Sequence, residues 1–417
     1  MRRGRGLGVL RAGLCAAGLA ACGTAPEDPA ARALRVHREA IVLDTHADTT
    51  PRFQEPDWDF TARHPKSDSD IDLPRAREGG LDVQFWSIYV GKVEGDGRAI
   101  REALERIDAV WELARKHPGD VVVATDVAGI RRGVAEGKLV SLLGVEGGHM
   151  IEDKLAILRD FYRLGVRYMT LTHAFHTSWA DSAGTGQPLP PGNGGLTPFG
   201  VEVVREMNRL GMMVDVSHVS DQTFWDALKA SEAPVIASHS SCRAVFDHPR
   251  NLSDDMLRAL AEKGGVVMVN YYPGYTDPVA APKIADWFKR HGEELGALRA
   301  KYGGDMKKLS EAMKAIAAED PVPQGSLDAL LDHFDHALRV AGEDHVGLGS
   351  DFDGVPSFPA GLDEVSLLPN LTAGLLARGW SEQVVRKVLG ENLLRTFAEV
   401  ERVAARLSAP AAPPSPR

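Results

Sequence analysis

The chain has 417 residues, of which 44% are hydrophobic and 25% are charged, and its formal net charge is -10 at pH 7. This length and composition are typical of a globular protein that buries one large core, and they exclude a disordered chain. The negative charge and the lack of a Lys/Arg-rich run argue against nucleic acid as a partner and favour a small-molecule ligand.

The first 21 residues have the parts of an export signal. A basic start, MRRGRG, is followed by the apolar run AGLCAAGLAA and by LAAC, which ends at Cys22. The apolar run of about ten residues is too short to span a bilayer, which takes ~20 helical residues. The pattern resembles a bacterial lipoprotein signal, in which the Cys is lipidated and becomes the new N-terminus. The alternative is a secreted protein in which Cys22 is incidental.

These features predict how the two ends of the chain are organised. We expect a signal peptide over residues 1–21, a tether over residues 22–35 and a disordered Pro-rich tail over residues 403–417. The mature protein would be anchored by a lipid on Cys22, on the periplasmic or cell-surface side of a membrane. Gly23, the residue after this Cys, favours the outer membrane as the destination of the protein if the source organism has an outer membrane.

Apolar runs of strand length recur along the rest of the chain, and segments with helical periodicity, such as KLAILRDFYRLG, separate them. Eight such runs are found. In chain order they are IVLDTH, LDVQFWSIYV, LVSLLGVEGG, VRYMTLTH, MMVDVSHVS, PVIASHSS, GGVVMVNYY and HVGLGSDFDG. Eight alternations predict an α/β fold, either a (β/α)8 TIM barrel or a doubly wound sheet.

Polar side chains close most of these runs, and their positions favour the barrel. The edge strands of an open sheet end far apart, whereas a closed barrel brings all carboxyl ends around one mouth. We therefore predict one (β/α)8 domain over residues 36–402. Its single site would contain His46, Asp48, Glu146, His173, His218, His239 and Asp351.

Two connections are too long for simple turns. Residues 49–80 follow the first strand, and residues 275–323 precede the helix that leads to the eighth. Long insertions at the carboxyl face of a barrel usually shape or cover a binding site. The second insertion has helical composition and many charges, so it is either a lid or a dimer surface.

Three of the polar residues have the chemistry of metal ligands. His46 and Asp48 are two residues apart, so in an extended chain their side chains leave the same face and can converge on one cation. Glu146 lies beside glycines in GVEGGH, and a carboxylate between two metals offsets their repulsion. The alternatives are ordinary hydrogen bonding at a strand end for the pair and a helix cap near Ile151 for Glu146.

Two histidines close apolar runs beside hydroxyl residues: His218 in VDVSHVS and His239 in VIASHSS. A neutral imidazole in this setting can bind a metal while a neighbouring group holds its other nitrogen. Each histidine alone fits a core role. Together with His46, Asp48 and Glu146, they predict a site for two zinc ions, or for other divalent metals.

Six ordered motifs resemble those of the membrane (renal-type) dipeptidase family, which are metallopeptidases of the amidohydrolase superfamily. They are DTHADT, GVEGGH, LTHAFHTSWAD, DVSHVS, SHSSCRAVFDHPRN and GSDFDG, and the resemblance runs from about residue 36 to residue 401. It implies a (β/α)8 barrel with two zinc ions. One ion would be bound by His46, Asp48 and Glu146, and the other by Glu146, His218 and His239.

The resemblance also implies a reaction, the hydrolysis of dipeptides by a hydroxide that bridges the two metals, and it allows D-residues at the C-terminal position. His173 would polarise the scissile carbonyl, Arg250 would bind the terminal carboxylate of the substrate, and Asp351 would transfer the proton. Asp353 is expected to be structural. Bacterial cell-wall peptides are a reasonable source of such dipeptides.

Two other functions share part of this pattern. A different amidohydrolase, acting on N-acyl amino acids or lactams, would use the same metal ligands. A solute-binding lipoprotein would have the same export signal, but it has no need of a full set of metal and proton-transfer residues. Turnover of a dipeptide pool with added zinc distinguishes an enzyme from a binding protein.

Some residues depart from the family pattern or resemble sites of other kinds. His176 stands where relatives commonly have Asn, and we interpret it as a loop residue near the pocket. This departure leaves the substrate preference open but does not change the predicted metal ligands. Cys242 is expected to be buried and inert. The segment GTGQPLPPGNGG lacks the Lys-Ser/Thr and the helix start of a phosphate loop and is predicted to form a flexible wall.

Overall fold

The computed structural model describes residues 27–92, 97–302 and 306–409, so the predicted signal peptide and Cys22 lie outside the described residues. The strands in this part of the chain are β1 (Leu43–Ala47), β2 (Val83–Ile88), β3 (Val121–Val123), β4 (Leu139–Glu146), β5 (Val166–Thr170), β6 (Met213–Asp215), β7 (Val235–Ala237), β8 (Val266–Asn270), β9 (Gly325–Ser326), β10 (Val346–Gly349) and β11 (Pro359–Ala360).

Eight of these strands form a closed parallel barrel, which confirms the predicted TIM barrel. The order around the barrel is β1, β2, β4, β5, β6, β7, β8 and β10, and the pairing of β10 with β1 closes it. Every residue of the eight strands is buried, as expected for parallel strands that are covered on both faces. The eight predicted apolar runs each contain one barrel strand.

The short strand β3 was not predicted. It pairs with Leu139–Ser141 of β4, on the edge that β5 uses from Leu143 onward. It therefore extends the sheet below the barrel without entering the closed ring. Strands β9 and β11 pair only with each other, so they join the second insertion to the loop after β10.

Helices surround the barrel and cover its mouth. They are α1 (Pro29–Glu39), α2 (Thr50–Phe53), α3 (Leu73–Glu78), α4 (Arg98–Lys116), α5 (Val127–Ala135), α6 (Leu155–Arg163), α7 (Pro198–Leu210), α8 (Asp221–Ala230), α9 (Asp254–Glu262), α10 (Pro273–Thr276), α11 (Ala280–Arg290), α12 (Gly292–Tyr302), α13 (Met306–Glu319), α14 (Leu327–Val340), α15 (Leu368–Ala377), α16 (Glu382–Arg386) and α17 (Asn392–Ser408). Within the described ranges, none of them is long and apolar enough to cross a membrane.

Several helices that return to the barrel begin at a polar residue whose side chain caps them. The capping side chains accept a backbone N–H of the first turn and belong to Asp126, Thr197, Ser220, Ser253, Ser326 and Ser381. Such a cap typically contributes ~1 kcal/mol. The caps at Thr197, Ser220, Ser253 and Ser326 end the loops that follow the barrel strands β5, β6, β7 and β8, and these loops form part of the mouth of the barrel.

The folded domain extends beyond both predicted boundaries, residue 36 at its start and residue 402 at its end. Helix α1 begins at Pro29, inside the segment predicted as a tether, because Asp28 caps it and Val36 and His37 are buried. Helix α17 continues to Ser408, past the predicted boundary at 402, because Val403 is buried against the barrel. Both ends are amphipathic helices whose apolar residues are too few to stand out in sequence.

The two long insertions occupy the carboxyl face of the barrel, as predicted. The first contains α2 and α3, and the second contains α10, α11, α12 and α13. The Lys314 ammonium of α13 donates to the Asp68 carbonyl of the first insertion. The two insertions therefore touch each other across the mouth.

A buried histidine holds the base of the second insertion. His333 of α14 accepts the Cys242 N–H at Nδ1, at 3.0 Å, and its Nε2 lies 2.9 Å from the Thr276 carbonyl. Cys242 is buried, and burial raises the pKa of its thiol, so the prediction of an inert Cys is confirmed. Burial also lowers the pKa of His333 to about 4.

The free energy of unfolding should therefore depend on His333 between pH 6.5 and pH 4. The unfolded chain has the usual histidine pKa of ~6.5, so it takes up the proton first as the pH falls. The stabilisation is complete above pH 6.5, and up to roughly 3 kcal/mol is lost on approaching pH 4. Denaturant unfolding across this range should show a shallower pH dependence in His333→Gln than in the wild type. His336→Gln, on the same helix, is the control, and equal slopes in the wild type and His333→Gln would contradict the assignment.

Candidate metal centre and active site

The carboxylate of Glu146 is the centre of the site. It ends β4, and its Oε1 lies 3.0 Å from His218 Nε2, 3.4 Å from His239 Nε2, 3.5 Å from His46 Nε2 and 3.7 Å from His173 Nε2. Its other oxygen accepts the Ser87 hydroxyl at 3.1 Å. Four imidazoles from four strand ends thus point at one carboxylate oxygen.

A tyrosine fixes the orientation and the tautomer of His46. The Tyr168 hydroxyl donates to the Thr45 carbonyl at 3.1 Å, so it accepts from His46 Nδ1, which lies 2.9 Å away. The proton on Nδ1 leaves a lone pair on Nε2. This Nε2 is buried and has no hydrogen-bond partner in the described part of the chain. An imidazole held in this way is ready to bind a metal.

His239 is held by a similar relay. The Ser238 hydroxyl donates to Asp215 at 2.6 Å, so it accepts from His239 Nδ1 at 2.8 Å. Burial lowers the pKa of His218 and of His239 well below the usual value, and both rings are neutral at pH 7. The Nε2 atoms of these two rings are 2.8 Å apart. In the absence of a metal, one neutral ring can donate its Nε2–H to the other, and a cation that binds both lone pairs would take the place of that hydrogen.

The electrostatics of the site fit a metal cation. Burial disfavours a charge on Glu146, but the neighbouring imidazoles hold the pKa of its carboxyl well below the usual range. Burial likewise opposes a charge on His46, yet Tyr168, Glu146 and Asp48 raise its pKa above the usual value. Groups that favour a proton at this place also favour a metal that replaces it. The donor set of imidazoles and carboxylates is that of zinc or of a related divalent metal.

Three overlapping groups of side chains could each hold an ion. Their ligand atoms lie within 4.8 Å of one another, and the groups are His46, Glu146 and His239; Glu146, His173 and His218; and His46, Asp48 and Asp351. All five predicted metal ligands are therefore brought together. The groups overlap so closely that they do not reproduce the predicted division of ligands between two ions, which stays a prediction.

Asp351 follows β10, and its carboxylate lies within 4.8 Å of ligand atoms of His46 and Asp48. Its carboxylate accepts the Asn270 side-chain amide at 2.9 Å. Burial raises the pKa of Asp351 to about 7, and the charges of Asp48 and Glu146 act in the same direction. A carboxyl with a pKa near neutrality can both accept and donate a proton at working pH.

Two site residues have a left-handed backbone conformation. The φ angle is 67° at His218 and 68° at Asp351. This conformation costs a non-glycine residue on the order of 1 kcal/mol or more, and it is retained where the surroundings fix it. At Asp351 the backbone N–H donates to the His46 carbonyl at 3.1 Å. The turn after β10 is thereby tied to the strand that carries His46 and Asp48.

Hydrogen bonds of the neighbouring Asp353 also stabilise the turn at Asp351. The Asp353 carboxylate accepts the Thr49 and Ser69 hydroxyls, at 2.6 and 2.8 Å, and the Asp70 N–H at 2.7 Å. Asp70 in turn accepts the Asp353 N–H at 2.9 Å. Asp353 therefore has the structural role predicted for it, and it joins the first insertion to the turn at Asp351.

His173 and Arg250 face the metal ligands from the side of the mouth. The His173 ring lies against the rings of Tyr89 and His218, with centroids 4.3 and 4.5 Å apart, and burial lowers its pKa. Arg250 is 3% exposed, and its Nη2 donates to the His239 carbonyl at 3.2 Å. Its Nε and Nη1 are buried without a hydrogen-bond partner among the described residues. A buried guanidinium with free donors is suited to an anionic group of a ligand.

His176 lies outside the cluster of metal ligands. Its Nδ1 accepts the Ser182 N–H at 3.0 Å, and its Nε2 lies 2.9 Å from the Pro190 carbonyl. Both ring nitrogens are therefore used within the loop, as expected for a loop residue. The spacing of His173 and His176 does not make a metal pair.

The residues that orient the ligands were not predicted. They are Tyr168, Asp215, Ser238 and Asn270. Their strands are buried on both faces, so position in the strand marks them only as buried. Their partners lie on other strands, so only the closed barrel shows the contacts.

Comparison with known proteins agrees with the geometry of the site. The family profile described as membrane dipeptidase (Peptidase family M19) matches residues 30–411. The probable dipeptidase PvdM from Pseudomonas aeruginosa is similar, with 27% identity and a TM-score of 0.76, over 91% of this chain and 100% of the other. The dipeptidase AC, a metallo peptidase, is 27% identical with a TM-score of 0.69, over 87% and 98% of the two chains.

A third similar structure is the metallo peptidase from Rhodobacter sphaeroides liganded with a phosphinate mimic of the dipeptide L-Ala-D-Ala. The identity is 26% and the TM-score is 0.69, over 87% of this chain and 99% of the other. The family profile spans the whole barrel, and so it includes the strand ends that carry the site.

Proposed function

The chain belongs to the membrane dipeptidase family, Peptidase family M19, and is a metallo-dipeptidase; from this premise we propose that it uses two zinc ions to hydrolyse free dipeptides, including those with a C-terminal D-residue. The observation that supports two ions is the arrangement around Glu146 Oε1, which four imidazole nitrogens approach within 3.7 Å. A zinc ion usually takes four ligands. His46, Asp48, Glu146, His218 and His239 offer more than one such ion can use, whereas two ions that share Glu146 can use all five.

The ligands proposed for the first ion are His46, Asp48 and Glu146, and those for the second are Glu146, His218 and His239. When bound, the ions supply a Lewis acid for the scissile carbonyl and a water whose pKa is lowered to about 7. Tyr168 and Ser238 keep the lone pairs of His46 and His239 directed at the ions.

The other site residues act on the substrate. His173, close to Glu146 but not needed as a ligand, stabilises the oxygen of the scissile carbonyl as negative charge develops on it. Asp351 accepts the proton of the attacking water and passes it to the leaving amine, since its carboxylate lies beside His46 and Asp48, the proposed ligands of the first ion. The free donors of Arg250 bind the terminal carboxylate, which restricts the substrate to dipeptides.

Support for a C-terminal D-residue comes from a similar protein. The Rhodobacter sphaeroides enzyme holds a mimic of L-Ala-D-Ala, so a related site accepts a D-residue at this position. Peptides of bacterial cell walls contain such residues and are a reasonable source. An amidohydrolase that acts on N-acyl amino acids or lactams would share the metal ligands, and a substrate screen separates the two.

The test is a screen of the purified protein against dipeptides, N-acyl amino acids and lactams, combined with elemental analysis. We expect two zinc ions per chain and turnover of dipeptides that a chelator abolishes and zinc restores. L-Ala-D-Ala and L-Ala-L-Ala compared side by side test the chirality. Turnover of N-acyl amino acids or lactams without turnover of dipeptides would reject the proposal.

We also propose that the protein is exported and anchored by a lipid on Cys22, on the strength of the signal and the L-A-A-C sequence. Cys22→Ala should move the protein from the membrane fraction to the soluble fraction, because an anchored chain loses its only predicted attachment. Fractionation with metabolic labelling by a fatty acid measures this. Cys15→Ala is the matched control within the signal. Unchanged membrane association of Cys22→Ala would reject lipidation.

A further inference from the structure

We propose that His176 is a positioning residue that holds the loop of residues 183–195 against the wall carrying Arg250, and that this loop thereby selects the C-terminal side chain of the substrate. The second part of this inference rests on the proposed function of Arg250. The first part concerns only the loop and can be tested without an assay.

His176 joins two points of the chain that are eight residues apart. Its Nδ1 accepts the Ser182 N–H at 3.0 Å, so the ring proton is on Nε2, which donates to the Pro190 carbonyl at 2.9 Å. A neutral imidazole with this tautomer can make both bonds at once. The ring therefore closes the segment between Ser182 and Pro190 into a loop with a fixed base.

The first end of the loop is fixed to the site itself. The Ser182 hydroxyl lies within hydrogen-bond distance of the carbonyls of His173 and His218, and the Ala183 N–H donates to the same His218 carbonyl at 2.8 Å. The Gly184 N–H donates to the Ser182 hydroxyl at 2.9 Å. A displacement of Ser182 would therefore break its hydrogen bonds to the backbone of His218, a proposed metal ligand, and of His173.

The far end of the loop is fixed by Asp181. Its carboxylate accepts the backbone N–H groups of Asn193, Gly194 and Gly195, at 2.7, 2.7 and 2.8 Å. These bonds leave residues 184–192 between two fixed ends. The bond from His176 to Pro190 restrains this stretch before its far end, and the exposed residues 185–188 lie in the middle of the part that His176 closes.

The tip of the loop reaches the wall that carries Arg250. Gly186 approaches His248 so closely that a Cβ there would lie 3.2 Å from His248 Nε2. His248 accepts the Arg250 N–H at 3.2 Å and stacks on Tyr275, with ring centroids 4.4 Å apart. The Arg250 guanidinium lies over the same Tyr275 ring, 5.5 Å from its centroid.

This placement gives the loop its role in selection. Arg250 would hold the terminal carboxylate, and the side chain on the same carbon of the substrate must then pass the nearest wall. The loop tip at Gly186, together with His248 and Tyr275, forms that wall. A loop held in one position admits side chains of limited size, whereas a released loop discriminates less between them.

Two substitutions of His176 separate its two hydrogen bonds. The amide oxygen of Asn can take the place of Nδ1 and accept the Ser182 N–H, but Asn does not reach Pro190. The amide nitrogen of Gln can take the place of Nε2 and donate to Pro190. His176→Asn should therefore release the middle of the loop, and His176→Gln should largely retain it.

The first measurement is hydrogen–deuterium exchange of residues 184–190 in the metal-loaded enzyme. We expect exchange to accelerate about 2- to 10-fold in His176→Asn, as follows from the loss of one hydrogen bond, and to stay near the wild-type rate in His176→Gln. Metal content should be unchanged in both variants. Wild-type exchange in His176→Asn would overturn the role of His176 as a positioning residue.

The second measurement is the KM and kcat for dipeptides that differ only in the size of the C-terminal side chain. In His176→Asn, the ratio of KM between large and small side chains should fall about 2- to 10-fold, with kcat within about twofold, and His176→Gln should restore the ratio. Accelerated exchange with an unchanged ratio would overturn the selective role of the loop. Absence of dipeptide turnover in the wild type would instead reject the proposed function, and the exchange result would still decide the role of His176.

Discussion

Replacing Glu146 with Gln is expected to remove most of the bound metal and to lower dipeptide hydrolysis at least about a hundredfold, while the barrel stays folded. Glu146 Oε1 is the atom on which four imidazoles converge. Gln has nearly the same shape and can still accept the Ser87 hydroxyl, so the packing of β4 is retained. It lacks the negative charge that would offset the repulsion between two dications.

Elemental analysis and circular dichroism of the purified variant provide the measurement. Glu136→Gln is the matched control, since Glu136 is exposed at the end of α5 and pairs only with Lys138 in the described structure. This control should keep its metal and its activity. Two zinc ions retained per chain in Glu146→Gln would show that Glu146 is not the shared ligand.

The fold was predictable because its strands carry an unusually simple signal. All eight barrel strands are buried on both faces, so each appears as a largely apolar run, and polar residues follow most of these runs at the carboxyl end. Strand β3 has only three residues and shares an edge of β4 with β5, so nothing in its length distinguishes it from a loop. The predicted domain left out the first turns of α1 and the last turns of α17, because the burial of these turns depends on contacts with the barrel.

The metal ligands were predictable, but the groups that orient them were not. His46 and Asp48 are close in sequence, and the six motifs fix the rest. His46 and Tyr168, which are in contact, are 122 residues apart in sequence, and nothing in the sequence around either residue predicts the other as its partner. The same is true of Asp351 and Asn270, which are 81 residues apart. Such contacts arise from the closure of the barrel, which sequence periodicity does not describe.

The second large effect concerns Arg250, because it distinguishes a dipeptidase from other hydrolases that share these metals. Its guanidinium is buried against Tyr275, and two of its nitrogens have no partner in the part of the chain that the structure describes. Hydrogen bonds from a charged group to a carboxylate contribute about 1.5 to 3 kcal/mol, and part of this orients the scissile carbonyl toward the attacking water. Arg250→Met should therefore lower kcat/KM for free dipeptides roughly 10- to 100-fold, with full metal content. Arg258→Met, which removes surface ion pairs with Asp254 and Asp255 on α9, is the control.

A cycle of four combinations identifies the contact that is lost. Amidation of the C-terminus of the dipeptide should lower kcat/KM of the wild type by a factor similar to that of Arg250→Met. The same amidation should have little further effect on Arg250→Met, because both changes remove one interaction. If the two losses instead multiply, Arg250 does not bind the terminal carboxylate. The restriction to dipeptides would then have to come from the walls of the pocket, of which the loop held by His176 is the first to test.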